Sequence, residues 1–146
     1  MKSFILTIVS FFLVLNAHSS PISPSSDSLL NETIEVSNFG AIRFRKPLAD
    51  SVGLPILLIH GVYGGASHRA FRELLPLLDQ AKKSVYVLDL PGVGESSKIK
   101  RPYKIEDIDQ FIEIFIAEVI KQRTTVVAES LATASALKVA SLRPDL

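Results

Sequence analysis

The sequence predicts an α/β fold built on a mostly parallel sheet that begins with an N-terminal hairpin. Three observations support this. Short alternating runs come first, near-continuous apolar runs of strand length follow, and segments of helical periodicity lie between the apolar runs. Strands that are apolar on both faces belong in a parallel sheet covered by helices on each side. The order hairpin, β, α, β, α, β, α therefore predicts a doubly wound architecture.

Five segments carry a strand pattern. Residues 33–36 and 41–44 alternate around an Asn-Phe-Gly turn signal, which predicts an antiparallel hairpin. Three longer runs are apolar throughout and are predicted as the parallel strands. They are 55–60 (PILLIH), 85–90 (VYVLDL) and 124–128 (TTVVA).

Three segments carry a helical pattern. Ser67 is placed to cap a first helix, in which leucines recur at helical spacing and which Pro76 should bend or interrupt. Residues 105–123 form a longer amphipathic helix, with acidic residues in its first turns and Lys121 and Arg123 at its end. Residues 131–142 form a third helix, whose many alanines allow close packing on a sheet.

Composition excludes several classes of function. A formal charge of +1, from 16 Lys+Arg and 15 Asp+Glu, provides no field that would attract nucleic acid. The absence of Cys excludes disulfides, thiolate zinc sites, iron–sulfur clusters and a cysteine nucleophile, and three His leave little room for a metal site. No cofactor and no metal are predicted. The basic loop at Lys98, Lys100, Arg101 and Lys104 is interpreted as a solvated loop, because acidic residues follow it from Glu106.

The N-terminal segment is predicted to be a signal peptide over residues 1–19, since Lys2 precedes a 12-residue apolar stretch and small residues follow. Such a stretch spans only about 18 Å as a helix, so a stable membrane span is not predicted. The protein is expected to be secreted or periplasmic, with anchoring by an uncleaved signal as the alternative. A Ser/Pro-rich linker over 20–29 precedes the folded domain, 30–146.

Two Gly-containing loops follow predicted strands. His60-Gly61-Val62 follows the first parallel strand, and a glycine there lets backbone N–H groups approach a ligand. Asp89-Leu90-Pro91-Gly92-Val93-Gly94-Glu95-Ser96-Ser97 follows the second. Nucleotide binding is disfavoured, because the dinucleotide fingerprint is incomplete and no G-x-x-x-x-G-K-[ST] phosphate loop exists in the sequence.

The third loop, Ala128-Glu129-Ser130-Leu131-Ala132, places one serine between a strand and a helix with small residues on either side. Such a strand–turn–helix is typical of a nucleophile elbow, although both of its usual glycines are alanine here. Taken alone, the same pattern would also fit a serine that caps a helix N-terminus.

With its H-G-x, D-x-P-G-x-G-x-S and A-x-S-x-A motifs in this order, the chain resembles the α/β-hydrolase superfamily from about Asn31 onward. The resemblance implies that Ser130 is the nucleophile and that the backbone N–H groups of Val62 and Leu131 form the oxyanion hole. Serine rather than aspartate at this position resembles esterases, lipases and other acyl-transfer members, so a small ester-like or other acyl substrate is expected. The remaining motif residues are His60, Gly61, Asp89, Pro91, Gly92, Gly94 and Ser96.

The base that Ser130 requires has no candidate in the sequence. His60 belongs to the H-G-x loop, where a loop-ordering hydrogen bond is expected, and His68 and His18 are expected at surface positions. Only Asp145 follows Ser130 as a carboxylate, and no His does. The resemblance implies a partial domain that stops after the nucleophile helix, without the triad acid and His. The chain alone is expected to be inactive, and the alternative is a non-catalytic binding module or a half-domain that pairs with another chain.

Overall fold

The computed structural model describes residues 29–146. The predicted signal peptide over 1–19, and the predicted linker up to residue 28, lie outside the described residues. One sheet contains five strands, β1 (Glu32–Val36), β2 (Gly40–Arg45), β3 (Val52–Ile59), β4 (Lys83–Leu88) and β5 (Thr125–Ala128). Their order across the sheet is β1-β2-β4-β3-β5. The expected mixed, mostly parallel α/β architecture is confirmed.

The N-terminal hairpin consists of β1 (Glu32–Val36) and β2 (Gly40–Arg45), paired antiparallel. Asn38 and Gly40 turn the chain, with φ of 69° and 77°, a region that glycine and asparagine reach most readily. The hairpin joins the sheet because β2 pairs antiparallel with β4.

The parallel part of the sheet comprises β3 (Val52–Ile59), β4 (Lys83–Leu88) and β5 (Thr125–Ala128). β3 lies between the other two and pairs parallel with both. β3 and β4 end one and two residues earlier than predicted. His60, Asp89 and Leu90 have left the strands and form hydrogen bonds between the loops.

The first predicted helix is in fact two short pieces. The Ser67 hydroxyl accepts a hydrogen bond from the Arg69 N–H and caps a 3₁₀ turn at His68–Phe71. Helix α1 (Leu75–Gln80) then begins anew, with Pro76 in its first turn. The predicted helix is therefore interrupted next to Pro76, one of the two expected outcomes, and is not bent. Proline is tolerated at the start of α1 because a first-turn residue needs no backbone N–H donor within the helix.

The second helix, α2 (Ile105–Ile114), continues as a π-helical segment at Phe115–Ile120. It ends at Lys121, whose φ of 59° is left-handed, so the predicted end at residue 123 was too late. Helix α3 spans Leu131–Leu142, as predicted. No helix within residues 29–146 is long and apolar enough to cross a membrane.

Apolar clusters cover both faces of the sheet, as a parallel sheet requires. On one face, Leu57 and Ile59 of β3 belong to a large cluster that includes Phe111 and Phe115. On the other face, Leu58 packs in a smaller cluster that includes Leu75. The alternation along β3 therefore directs successive side chains to opposite helical layers.

Candidate active site

Three loops meet at the carboxyl edge of the parallel strands. They are the HG loop (residues 60–65) after β3, the Asp89 loop (residues 89–97) after β4, and the elbow (residues 128–132) after β5. Because β3 lies between β4 and β5, the HG loop lies between the other two. Ligand sites in open α/β sheets form at this edge.

His60 connects the HG loop to the Asp89 loop. Its ring is completely buried, and its Nε2 accepts a hydrogen bond from the Leu90 N–H at 3.0 Å. The proton must then be on Nδ1, which lies 2.7 Å from the Gly61 carbonyl oxygen and donates to it. Burial lowers the pKa of His60 despite this hydrogen bond and the nearby Asp89, so the ring is neutral. Both of its nitrogens are engaged.

His68 is not at the surface, which corrects the expectation from sequence. It is only 3% exposed, and its Nδ1 lies 3.0 Å from Asp89 Oδ1. Its backbone N–H donates to the same oxygen at 2.6 Å. The physical reason is the carboxylate of Asp89, which is completely buried and requires donors.

The Asp89 loop folds around this buried carboxylate. Asp89 Oδ2 accepts the Glu95 N–H at 2.7 Å. Burial acts to raise the pKa of Asp89, but the hydrogen bonds from His68 and Glu95 outweigh burial and lower it. Gly94 has a φ of 53°, and a Cβ there would lie 2.0 Å from Asp89 Oδ2. Asp89 and Gly94 of the D-x-P-G-x-G-x-S motif therefore have a structural role, because they determine the conformation of the Asp89 loop.

The two serines of the Asp89 loop bind it to β2. The Ser96 hydroxyl donates to the Asp89 carbonyl oxygen at 2.7 Å and accepts the Arg43 N–H at 2.9 Å. The Ser97 hydroxyl accepts the Ala41 N–H at 3.0 Å. Gly92 adds a turn with a φ of 83°, closed by a hydrogen bond from its N–H to the Ser97 carbonyl oxygen. Pro91 is buried at the start of this turn.

Ser130 lies at the sharp turn between β5 and α3, with φ of 55° and ψ of −130°. Such a conformation costs a residue other than glycine roughly 1–3 kcal/mol. Ser130 is exposed, and its side chain makes no capping hydrogen bond to α3, so the helix-cap interpretation is wrong. The turn is braced instead by Thr133, whose hydroxyl donates to the Ala128 carbonyl oxygen at 3.0 Å.

The HG loop packs closely on the elbow. A Cβ at Gly61 would lie 3.1 Å from the Ser130 Cβ and 2.6 Å from Cε1 of the Tyr63 ring. Because Gly61 has no Cβ, the Tyr63 ring and the Ser130 side chain can both pack against its Cα.

Glu129 bridges the HG loop and the elbow, a role that the sequence did not indicate. Its Oε2 accepts the Gly61 N–H at 3.2 Å, and its Oε1 accepts the Tyr63 hydroxyl at 3.3 Å. Its own N–H donates to the Ile59 carbonyl oxygen at 3.0 Å. An acidic residue immediately before the elbow serine was a visible signal, but its partners lie 68 and 66 residues away along the chain.

The two expected oxyanion-hole residues lie on these neighbouring loops. Val62 lies between Gly61 and Tyr63, the two residues that Glu129 holds, and Leu131 is the first residue of α3. Among the atoms of residues 29–146, neither backbone N–H has a hydrogen-bond acceptor. Both donors can therefore serve a ligand.

A cavity of about 600 Å³ lies between the HG loop and the Asp89 loop. Tyr63, His68, Asp89 and Val93 line it, together with Arg69 and Lys98, whereas Ser130 does not. Within residues 29–146, no cluster of three or more His, Asp or Glu side chains could hold a metal ion.

Side chains of the basic loop contact the chain itself. Lys98 Nζ donates to the carbonyl oxygens of Gly92 and Gly94, and Arg101 forms a two-point ion pair with Asp107 at 2.8 Å. Lys100 and Lys104 are exposed.

Comparisons with known proteins agree with this architecture. The model of the alpha/beta hydrolase fold matches residues 55–146. A relative from Pseudomonas putida, the dihydrolipoyllysine-residue acetyltransferase component of the acetoin cleaving system, is 29% identical over 93 residues. The match covers 64% of this chain and 24% of that protein.

Two solved structures illustrate the structural likeness. A serine hydrolase involved in carbazole degradation, the CarC enzyme, has a TM-score of 0.64 and 26% identity over 79% of this chain and 45% of its own. A loop variant of a haloalkane dehalogenase from Bradyrhizobium elkanii has a TM-score of 0.64 and 23% identity over 79% of this chain and 36% of its own. The chain thus spans less than half the length of each of these relatives. On the strength of the family match and the three loops, the chain belongs to the alpha/beta hydrolase fold family.

Proposed function

We propose that Ser130 is the nucleophile of a serine hydrolase that transfers the acyl group of a small ester-like molecule to water. The observation that carries this proposal is the conformation of Ser130. An exposed serine occupies a strained backbone region and contributes no helix cap. Strain of this kind is characteristic of functional sites, where it presents a side chain to a ligand.

In the proposed reaction, Ser130 Oγ attacks the carbonyl carbon and its proton passes to a general base. The alcohol leaves with a proton, and water then releases the acid from the acyl-enzyme. The N–H groups of Val62 and Leu131 stabilise the oxyanion that forms in each step. Loss of one such donor would raise the barrier by about 3–4 kcal/mol.

Acyl transfer is preferred to halide displacement because residue 130, at the sharp turn of the elbow, is a serine rather than an aspartate. The CarC enzyme, which is described as a serine hydrolase, supports this choice. The name of the Pseudomonas putida relative also specifies transfer of an acyl group.

The general base is proposed to come from outside the described residues. His60 uses both ring nitrogens in hydrogen bonds to Gly61 and Leu90, and His68 is held by Asp89. Without a base, Ser130 remains a weak nucleophile at neutral pH. We therefore expect the 146-residue chain alone to show no appreciable ester turnover.

The engagement of His60 and His68 by other groups favours a second candidate function. This is a non-catalytic binding module or a half-domain that pairs with another chain. Such a protein would retain the fold and the loops but would neither hydrolyse esters nor react at Ser130.

Two measurements on the full chain distinguish these functions. The first is hydrolysis of p-nitrophenyl acetate with and without imidazole as an external base, and the second is labelling of Ser130 by a fluorophosphonate. Serine hydrolase function predicts imidazole-dependent turnover and labelling, both lost in Ser130→Ala. Turnover equal in the wild type and Ser130→Ala, with no labelling, would favour the binding module. Turnover without imidazole that requires Ser130 would contradict the expected inactivity of the chain alone.

We also propose that the protein is exported by its N-terminal segment and is secreted or periplasmic. The support is the charged start and short apolar stretch of residues 1–19. Expression in a bacterium, followed by mass spectrometry of the exported fraction, should find a new N-terminus between residues 18 and 20. A cell-associated product that retains Met1 would indicate the uncleaved membrane anchor instead.

A further inference from the structure

Within residues 29–146, the Glu129 side chain connects the nucleophile turn to both residues that flank Val62. Gly61 donates its backbone N–H to Oε2 of Glu129, and Tyr63 donates its hydroxyl to Oε1. Val62 is the residue between them, so both of its neighbours are held by one carboxylate. Glu129 itself is fixed, because its N–H is bound to the end of β3 and the next residue is Ser130.

We propose that Glu129 is a positioning residue that locks the HG loop onto the elbow and so sets the spacing between the Val62 and Leu131 N–H groups. This inference rests on the proposed function, because an oxyanion hole is useful only to an acyl-transfer nucleophile. Glu129 does not contact the reacting atoms in this proposal. It acts through the backbone of the HG loop.

The geometry explains why a carboxylate suits this position. An ionised carboxylate is a pure acceptor with two oxygens, so it can receive an N–H and an O–H at the same time without competing as a donor. Both hydrogen bonds are charge-assisted and are therefore stronger than bonds between neutral groups. Burial, the charge of Glu129 and the hydrogen bond to it all raise the pKa of Tyr63, so the phenol remains a donor at neutral pH.

The close packing at Gly61 strengthens the coupling. A Cβ there would meet both the Tyr63 ring and the Ser130 side chain, so the ring and the elbow already lie against the same short stretch of backbone. Release of the Tyr63 hydroxyl and the Gly61 N–H would leave this contact without a directional bond. A displacement of about 1 Å in a reacting geometry is enough to slow a reaction about 100-fold.

The variants Glu129→Ala and Glu129→Gln separate the effect of the Glu129 hydrogen bonds on the HG loop from the effect of its negative charge. The glutamine keeps one acceptor oxygen and the side-chain length, so it should retain most of the lock, whereas alanine removes both acceptors. In the full chain, with imidazole as the external base, we expect Glu129→Ala to lower the rate of fluorophosphonate labelling at Ser130 about 10- to 100-fold. Glu129→Gln should stay within about threefold of the wild type. The control is Glu118→Gln, which changes an exposed glutamate on the π-helical segment and should have no effect.

In this labelling, Ser130 Oγ forms a bond to phosphorus, fluoride leaves, and imidazole takes the hydroxyl proton. The phosphoryl oxygen occupies the oxyanion hole, so the rate reports the spacing of the two N–H groups. Urea unfolding of the same variants shows whether a slow rate reflects lost stability. If both the wild type and Glu129→Ala are labelled, and at equal rates, the proposal is overturned.

Two readouts do not depend on catalysis, so they remain decisive if Ser130 is not labelled and the proposed function fails. The first is the phenol titration of Tyr63, isolated by subtracting the Tyr63→Phe spectrum at 295 nm. It should shift to lower pH in Glu129→Gln. The second is the ¹⁵N–¹H resonance of Val62, which should move or broaden in Glu129→Ala. If neither the Tyr63 titration nor the Val62 resonance changes, Glu129 does not hold the HG loop and the proposal is overturned.

Discussion

Ser130 and Gly94 both adopt backbone conformations that glycine tolerates best, yet only one of them is glycine. At Gly94 a side chain would collide with the buried Asp89 carboxylate, so both the conformation and the space require glycine. At Ser130 the side chain extends into solvent, so only the conformation is unfavourable. The strain at Ser130 is thus an energetic cost that the surrounding hydrogen bonds offset, and it can be measured.

Ser130→Gly should be more stable than Ser130→Ala by about 1 kcal/mol in free energy of unfolding. Glycine relieves a strain of roughly 1–3 kcal/mol, and the greater entropy of its unfolded chain offsets part of the gain. Urea unfolding of the two variants checks this. Equal stability, or a less stable glycine variant, would mean that Ser130 is not strained in solution.

Gly94→Ala should lower the free energy of unfolding by about 3 kcal/mol or more. The added Cβ would lie 2.0 Å from Asp89 Oδ2, and the φ of 53° is unfavourable for alanine. Gly64→Ala is the matched control, because a Cβ at Gly64 meets no atom within 4 Å. If the two variants unfold at the same urea concentration, the Asp89 loop does not have this geometry.

At the scale of elements, the Asp89 loop acts as an extension of the sheet along β2. Its hydroxyls take the hydrogen bonds that a neighbouring strand would supply to the Arg43 and Ala41 N–H groups. Hydrogen bonding to β2 also continues past the end of β4, since the Asp89 N–H donates to the Arg43 carbonyl oxygen. These hydrogen bonds fix the Asp89 loop against β2.

Ser96→Ala should destabilise the protein by about 2–3 kcal/mol. The change leaves the buried Asp89 carbonyl oxygen and the Arg43 N–H without the partner that one hydroxyl provides. Ser141→Ala is a suitable comparison, because Ser141 is exposed near the end of α3. Thermal unfolding of both variants tests the expectation, which fails if Ser96→Ala melts with the wild type.

At the scale of the whole molecule, His60, His68 and Asp89 form a buried polar centre at the carboxyl edge of the parallel strands. All three are almost fully buried. Their hydrogen bonds connect the HG loop and the 3₁₀ turn at His68–Phe71 to the Asp89 loop. Because the pKa values of His60 and Asp89 are both lowered, protonation of either group favours the unfolded chain. The centre therefore couples global stability to pH.

Stability should fall as the solution becomes more acidic. The contribution of His60 is complete above its ordinary pKa of 6.5 and declines below it, with a slope of at most about 1.4 kcal/mol per pH unit. That of Asp89 is complete above its ordinary pKa of 3.8 and is lost below it. Urea unfolding between pH 8 and pH 5 checks the contribution of His60. In His60→Gln the free energy of unfolding should depend less on pH over this range. A stability that rises as pH falls below 6.5 would contradict the lowered pKa of His60.

The α/β class, the hairpin, the five strands, α3 and the three loops at the sheet edge were all predictable from the sequence. They follow from hydrophobic periodicity and from turn residues, which act over a few positions. The predicted end of the second helix was wrong because no glycine marks the left-handed turn at Lys121. The predicted surface position of His68 was wrong because its buried partner, Asp89, lies 21 residues away along the chain. Only the tertiary structure revealed the backbone strain at Ser130 and the bridge from Glu129 to Gly61 and Tyr63. Those features arise when the parallel order of β4, β3 and β5 brings three separate loops together, and no local pattern records the distances across that edge.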